Sequence, residues 1–256
     1  MLARSTISFR AGVAVPRRES NMDRRKFLSA GGVSLTAAFL AACNVDRSPR
    51  AQRLLDLAEK RNEGVERSLF QHASMNSARN GAKMAGAAFP SYFISDTVPV
   101  WDESVRGPWT LEVSGSVQNP TKFSLEDLRK LPFRSQRVDH FCVEGWNAVA
   151  VWGGIRLSDI ARAVGAKPDA GYVDFQSFDS GYHESWDIES AMHPQTLVAT
   201  ALDGQRLGMA HGAPARIHSP IKLGYKNTKY LTKIVFLPTR NGGYWSDQGY
   251  EWYGGT

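Results

Sequence analysis

Apolar and polar residues alternate through Trp109-Thr110-Leu111-Glu112-Val113-Ser114-Gly115-Ser116-Val117, the pattern of a strand with one buried face. Asn119-Pro120 then turns the chain. Ser124-Leu125-Glu126-Asp127 has the spacing of a helix N-terminus with a capping box, and Pro132 stops that helix early. Ser158 to Val164 predicts a second short helix closed by Gly165, and Asp187 caps a third. Further strands are expected over Gly171 to Phe178, Thr196 to Leu202 with the turn Asp203-Gly204, Ala215 to His218, and Tyr230 to Leu237. The helices are too short and irregular for repeated βαβ units. The expected class is α+β, a mixed β-rich domain with short helices.

Ahead of this body, Pro49 to about Arg79 is polar with an apolar stripe at Leu54, Leu55, Leu57 and Ala58, which predicts a spacer or clamp helix. Gly81 to Ala88 is small and loose, and the texture turns aromatic at Phe89. The first 43 residues read as a leader. Arg24-Arg25-Lys26-Phe27-Leu28 is a twin-arginine signal, and Ser29 to Ala42 is uncharged but shorter than the roughly 20 residues needed to span a bilayer. Leu40-Ala41-Ala42-Cys43 matches a lipobox, so Cys43 is expected to be acylated and to anchor the protein, with a plain cleaved leader as the alternative. Met22 directly precedes the signal and is a candidate translation start. The expected organisation is a leader over 1–43, a helical extension over 44–88 and a catalytic domain over 89–256, located in the periplasm or cell envelope.

Excluding the leader changes the charge picture. It holds seven of the 31 basic and two of the 25 acidic residues, leaving 24 basic against 23 acidic, so the net charge of +6 belongs mostly to the leader. A nucleic-acid partner therefore has no electrostatic basis. The twin-arginine route carries proteins already folded, which raises the expectation of a cofactor inserted before export.

No G-x-G-x-x-G, Walker loop, G-x-S-x-G or C-x-x-C occurs, and the six histidines form neither a helical His pair nor H-E-x-x-H. With Cys43 in the leader, Cys142 is the remaining cysteine of two. It has three readings: an inert buried thiol, a nucleophile that finds a histidine in space, or a ligand to a metal.

Cys142-Val143-Glu144-Gly145-Trp146, followed by Trp152-Gly153-Gly154 and Leu157, resembles the core of the sulfite oxidase family of molybdopterin enzymes. A second block, His211-Gly212-Ala213-Pro214-Ala215-Arg216 continuing through Gly224-Tyr225-Lys226-Asn227-Thr228-Lys229, is similar to the segment with which that family holds the pterin. The likeness extends over Ala191-Met192-His193-Pro194 and the aromatic tail from Gly243 to Trp252. It runs closest to the branch of periplasmic methionine sulfoxide reductase catalytic subunits.

The resemblance implies two-electron oxygen-atom transfer on a small sulfur or nitrogen oxo substrate at a molybdenum–molybdopterin cofactor, with Cys142 as the metal's protein ligand. Glu144 would stand near the substrate side; its alternative is a loop residue in an ion pair. The pterin and its phosphate would be held by Ser177, His211, Arg216 and Lys229, with backbone amides at Asn227 and Thr228 completing the cradle and Tyr92 and Phe93 touching from the N-terminal side. Phe89-Pro90-Ser91 stands where the reductase branch carries asparagines, and His211 replaces another.

Two directions remain open. A sulfite dehydrogenase would grip its dianion with cations, for which His140, His218, Arg137 and Lys222 are candidates; the bland alternative for both histidines is burial with hydrogen bonds. A reductase of S-oxides would want aromatic walls, for which Trp146, Trp186, Tyr182 and the aromatic tail are candidates, against a role in the core. With no haem-attachment C-x-x-C-H, the expected electron partner is a separate cytochrome or membrane haem protein. A lipid-anchored binding protein that keeps the fold without metal is the competing class.

Overall fold

The computed structural model describes residues 49–69, 75, 90–179 and 181–256. The twin arginines, the apolar stretch, Cys43, the whole of the loose segment Gly81 to Ala88 and Phe89 lie outside them. The chain divides into two compact units, residues 1–59 and 60–256. Of the first, the opening turns of helix α1 (Pro49–Leu69) are described, with Leu54, Leu55 and Leu57 exposed. The described helix is Pro49–Leu69, Met75 belongs to no regular element, and residues 70–74 and 76–79 of the expected helical span lie outside the described residues. No described helix is long and apolar enough to cross a membrane.

In the second unit, the last turns of α1 bring charges to the body. Arg67 lies 2.7 Å from Glu63 and 3.5 Å from Asp187, and Arg240 lies 3.6 Å from Glu63. A helical turn α2 (Glu103–Arg106) precedes β1 (Thr110–Gly115), whose alternation buries Leu111 and Val113 as the pattern requires. After β2 (Thr121–Ser124) comes α3 (Leu125–Arg129), where Ser124 and Asp127 close the expected capping box.

The pattern reading did not anticipate the longest hairpin, β3 (Phe133–Phe141) with β4 (Asn147–Arg156), paired along its whole length. The reason is physical. β3 is an edge strand in which only Val138 and His140 are buried, so it reads as polar. β4 lies inside the sheet with Ala148 to Ala150 and Trp152 to Ile155 buried on both faces, which erases the alternation. Gly154 permits this packing, since a Cβ there would lie 2.1 Å from the carbonyl oxygen of Val198.

The chain continues through α4 (Leu157–Val164), closed by Gly165 in the left-handed region, then β5 (Tyr172–Ser177), β6 (His183–Asp187) and α5 (Ile188–Ala191), capped by Asp187. β6 was also not anticipated. The remaining strands are β7 (Leu197–Leu202), β8 (Gln205–Arg206), β9 (Arg216–His218) and β10 (Leu231–Leu237). Two five-stranded sheets result. One has the order β2-β1-β10-β5-β6, with β1 and β10 parallel; the other has β3-β4-β7-β8, with β9 also on β7. The class is α+β, as expected.

The first sheet packs Leu111, Val113, Phe175, Ile234 and Phe236 against Ile160 and Val164 of α4. A smaller cluster around Trp152, Val138 and Leu197 belongs to the second. Together these cores hold the ends of β3, β5 and β9, from which the site residues project.

Candidate active site

The turn between β3 and β4 presents the thiol. Cys142 N–H donates to Trp146 O at 2.9 Å and Gly145 N–H to Cys142 O at 3.0 Å. Gly145 has φ +87°, a conformation that favours glycine and explains its place in the motif. Cys142 is half-buried and lines a cavity of about 330 Å³. That volume suits a small-molecule site.

Most of the expected residues meet on this cavity's wall: Tyr92, Phe93, His140, Cys142, Glu144, Ser177, His211, Arg216, Asn227 and Lys229. They come from segments far apart in sequence, and both sheets contribute. His218 and Thr228 are not on the wall. His218 is fully buried behind it, its ring stacked 4.0 Å from Trp152 and 5.5 Å from His140, with neither ring nitrogen hydrogen-bonded among the described residues. His218 stands apart from the cavity because β9 turns its side chain into the aromatic cluster.

Burial pushes His218 well below the usual histidine range and His140 down to about 3, with Arg216 reinforcing both. Both rings are therefore neutral at physiological pH. Lys222 also points elsewhere: it is buried, donates to Tyr253 O at 2.6 Å and stands 3.5 Å from Asp187. Trp186 is core, edge-on to Phe175, with its indole N–H on Lys226 O. Arg137 does not line the cavity.

Burial, with the Glu144 carboxylate as a smaller contributor, pushes the Cys142 thiol up. A cysteine nucleophile needs the opposite, a stabilised thiolate with a base in contact. Among the described residues Cys142 Sγ meets no histidine; its polar neighbour is Glu144 Oε2 at 4.0 Å. The nucleophile reading therefore has no support here, whereas a bound cation would stabilise the thiolate directly. Among the described residues Glu144 is in no ion pair. It accepts the Trp146 indole N–H at 3.0 Å, and bonds to Trp146 and to Tyr92 hold its carboxyl below the usual range.

Arg216 is the clearest mark of an anion site. It is buried, and its Nε, Nη1 and Nη2 donate to the carbonyls of Ile217, His211 and Asn227 at 3.1–3.2 Å. Three of five N–H groups are thereby engaged, and no carboxylate pairs with it among the described residues. A buried guanidinium without a counter-ion is unfavourable until an anion arrives. Burial lowers its pKa to about 10, so it remains charged. Lys229 Nζ donates to Ala210 O at 2.9 Å and lies over the Phe93 and Tyr230 rings, and it too has no ion pair among the described residues. The Ser177 hydroxyl accepts Asp179 N–H and keeps its own proton to donate.

The Asn227 and Thr228 amides differ from expectation, because they donate within their own turn, to Gly224 O and Lys226 O. The Asn227 side chain is likewise structural, bonding to Ser219 N–H and to the carbonyls of Lys222 and Leu223. Sequence reasoning missed Asp179, whose buried carboxylate accepts Ile94 N–H at 2.9 Å and the Ser95 hydroxyl, tying the Tyr92–Phe93 segment to the wall. In sequence it looks like a turn residue before Gly181. Tyr225, which the second block contains but to which no role was given, and Tyr230, which follows that block, are also on the wall.

A molybdopterin group of the kind the resemblance implies fits these residues: one thiol, one hydroxyl donor and two basic side chains with no counter-ion among the described residues share one cavity. Among the described residues no three histidine, cysteine or acidic side chains cluster to hold a metal by themselves.

One consequence concerns pH. Burial pushes Lys229 and Lys222 down to about 7, whereas in the unfolded chain both keep their protons to about pH 10. Between these values the unfolded state binds more protons, so the stability of cofactor-free protein rises with pH across that window. Urea midpoints at pH 6.5 and 9 measure this, and Lys229→Met is expected to flatten the rise. An unchanged slope would show that Lys229 is not held in its depressed state.

Residues 97–245 match the model of the oxidoreductase molybdopterin binding domain. A chain of Azospira oryzae, provisionally named protein-methionine-sulfoxide reductase subunit YedZ1, is 35% identical over 246 residues, covering 95% of this chain and 90% of that one. The protein-methionine-sulfoxide reductase catalytic subunit MsrP of Xanthomonas axonopodis pv. citri is 33% identical over 162 residues, covering 57% of this chain and half (50%) of its own. The crystal structure of the sulfane dehydrogenase SoxCD from Paracoccus pantotrophus superposes with a TM-score of 0.57 at 19% identity, over 66% of this chain and 46% of that one, a likeness of fold. With its domain matched over more than half its length and a relative aligned nearly end to end, the chain belongs to the sulfite oxidase family of molybdopterin-binding oxidoreductases.

Proposed function

We propose that this oxidoreductase is the catalytic subunit of a molybdenum-dependent S-oxide reductase, working in the cell envelope with a separate haem protein as electron donor. The observation that carries the reading is one cavity on which a thiol, two basic side chains with no counter-ion among the described residues, and an aromatic wall converge. Cys142 would hold the metal through its thiolate, Arg216 and Lys229 the cofactor's phosphate, and Ser177 and His211 the pterin. When bound, this group supplies two-electron oxygen-atom transfer. Glu144, held by Trp146 beside the thiol, keeps an ionised carboxylate at the substrate side of the cavity, where it can accept a hydrogen bond.

Reduction is favoured over sulfite oxidation by the position of the cations. His218, Lys222 and Arg137 do not line the cavity, and the cations that do, Arg216 and Lys229, are engaged by the phosphate in this reading. A neutral sulfoxide needs no cation, and Trp146, Tyr182, Trp245 and Tyr250 supply apolar contact. The names of the Azospira and Xanthomonas relatives support the same class of substrate. Export by the twin-arginine route and acylation of Cys43 belong to the proposal on the leader motifs alone.

Protein purified after export is expected to carry equimolar molybdenum and to oxidise a reduced dye with methionine sulfoxide or dimethyl sulfoxide. Metal-free protein despite full cofactor supply would support the binding-protein alternative. Faster oxidation of sulfite than reduction of any S-oxide would reverse the assigned direction.

A further inference from the structure

Two segments distant in sequence build the aromatic side of the cavity: the turn Gly224–Lys226 with the following Asn227, and the tail carrying Trp245 and Tyr250. Their rings touch in series, Tyr225 to Tyr250 at 5.5 Å and Tyr250 to Trp245 at 5.0 Å. The tail's regular structure is one short 3₁₀ turn, Ser246–Gln248, with bonds mostly within itself and one to β6, from Tyr244 N–H to His183 O at 2.8 Å. A buried carboxylate holds it. Glu184 of β6 accepts the Trp245 backbone N–H at 3.0 Å through Oε1 and the Ser246 hydroxyl at 3.1 Å through Oε2.

The same carboxylate pairs with Lys226 at 2.5 Å, both side chains fully buried, and Lys226 Nζ also donates to Ser246 Oγ at 3.2 Å. Gly243 bridges to Glu184 across the edge of β6, and a Cβ there would lie 2.3 Å from the carboxylate. None of Glu184, Lys226, Gly243 and Ser246 lines the cavity. A buried ion pair is seldom more stabilising than apolar residues of the same volume. What it provides here is one geometry, joining the cofactor-side turn to the tail.

We propose that the Glu184–Lys226 pair is a positioning element that fixes the Trp245–Tyr250 wall against the Gly224–Lys229 loop and so determines which S-oxides the cavity accepts. The substrate class rests on the reductase reading given above; the holding of the wall does not. A wall tied down at its backbone discriminates by shape, so loosening it weakens binding of a bulky S-oxide more than of a small one.

The test uses two variants of the full chain. Glu184→Leu/Lys226→Met removes both charges together, leaving no unpaired buried ion, and Gly243→Ala keeps both charges but sets a methyl against the Glu184 carboxylate, forcing carboxylate and tail apart. In both, amide hydrogen exchange at Trp245 is expected to accelerate at least about tenfold, in cofactor-free and loaded protein alike. KM for a peptide methionine sulfoxide is expected to rise about tenfold, while kcat for dimethyl sulfoxide and molybdenum content stay within about twofold. Unchanged exchange at Trp245 in both variants overturns the proposal. So does an unchanged KM accompanied by falling kcat and molybdenum, which would make the pair a support of the cofactor loop or of the fold alone. If the parent protein reduces no S-oxide, the reductase reading fails, and the exchange measurement still decides whether the pair holds the wall.

Discussion

Cys142→Ser is expected to lower S-oxide turnover at least about a thousandfold, on the order of 4 kcal/mol in the activation barrier, while pterin content stays close to that of the parent. The two outcomes separate because they depend on different atoms. The thiol sits at the β3–β4 turn, whose geometry comes from backbone bonds between Cys142, Gly145 and Trp146 that serine preserves. The cationic residues that would hold the phosphate, Arg216 and Lys229, belong to other segments and lose no contact. What serine removes is the soft, polarisable donor suited to this class of metal. Pterin released by oxidation and turnover with a reduced dye measure the two quantities. Full turnover in the serine variant would end the ligand assignment, and loss of pterin with the activity would mean that the thiol also retains the cofactor.

Arg216→Met is expected to have the opposite signature, with loss of the cofactor itself. The two N–H groups not engaged by carbonyls are available to an oxyanion, and charge-assisted hydrogen bonds contribute about 1.5–3 kcal/mol each, so affinity should fall by roughly two to four powers of ten. Methionine also leaves the carbonyls of Ile217, His211 and Asn227 without their donor. Cofactor-free protein feels this loss against the relief of a buried unpaired charge, so its change in Tm is small beside the change in pterin content. Arg216→Lys keeps the charge but not the fork, and its pterin content is expected to lie between. Full pterin content in Arg216→Met would place the phosphate elsewhere.

Much of the fold was legible in local pattern. β1 follows its alternation, the capping box at Ser124 and Asp127 closes, and Gly165 and Asp187 end and begin helices where their chemistry demands. The β3–β4 hairpin was not legible, although it carries the most informative motif of the chain. An edge strand with polar faces and an inner strand buried on both sides each hide the period of two that marks a half-buried strand.

The same division runs through the site. The sequence by itself determined the chemical inventory: one thiol after the leader, a glycine suited to the turn behind it, and basic residues in a separate block whose order matches the family. These are properties of residue type and local spacing. Only the tertiary structure decided which members of that inventory face one another. It put Arg216 on the wall with no counter-ion among the described residues, turned His218 into a stack with Trp152, sent Lys222 to Asp187 and Tyr253, and made Glu184 the anchor of a tail 61 residues further along the chain, at Trp245. The physical reason is that burial sets both charge state and partner, and burial arises where strands remote in sequence meet.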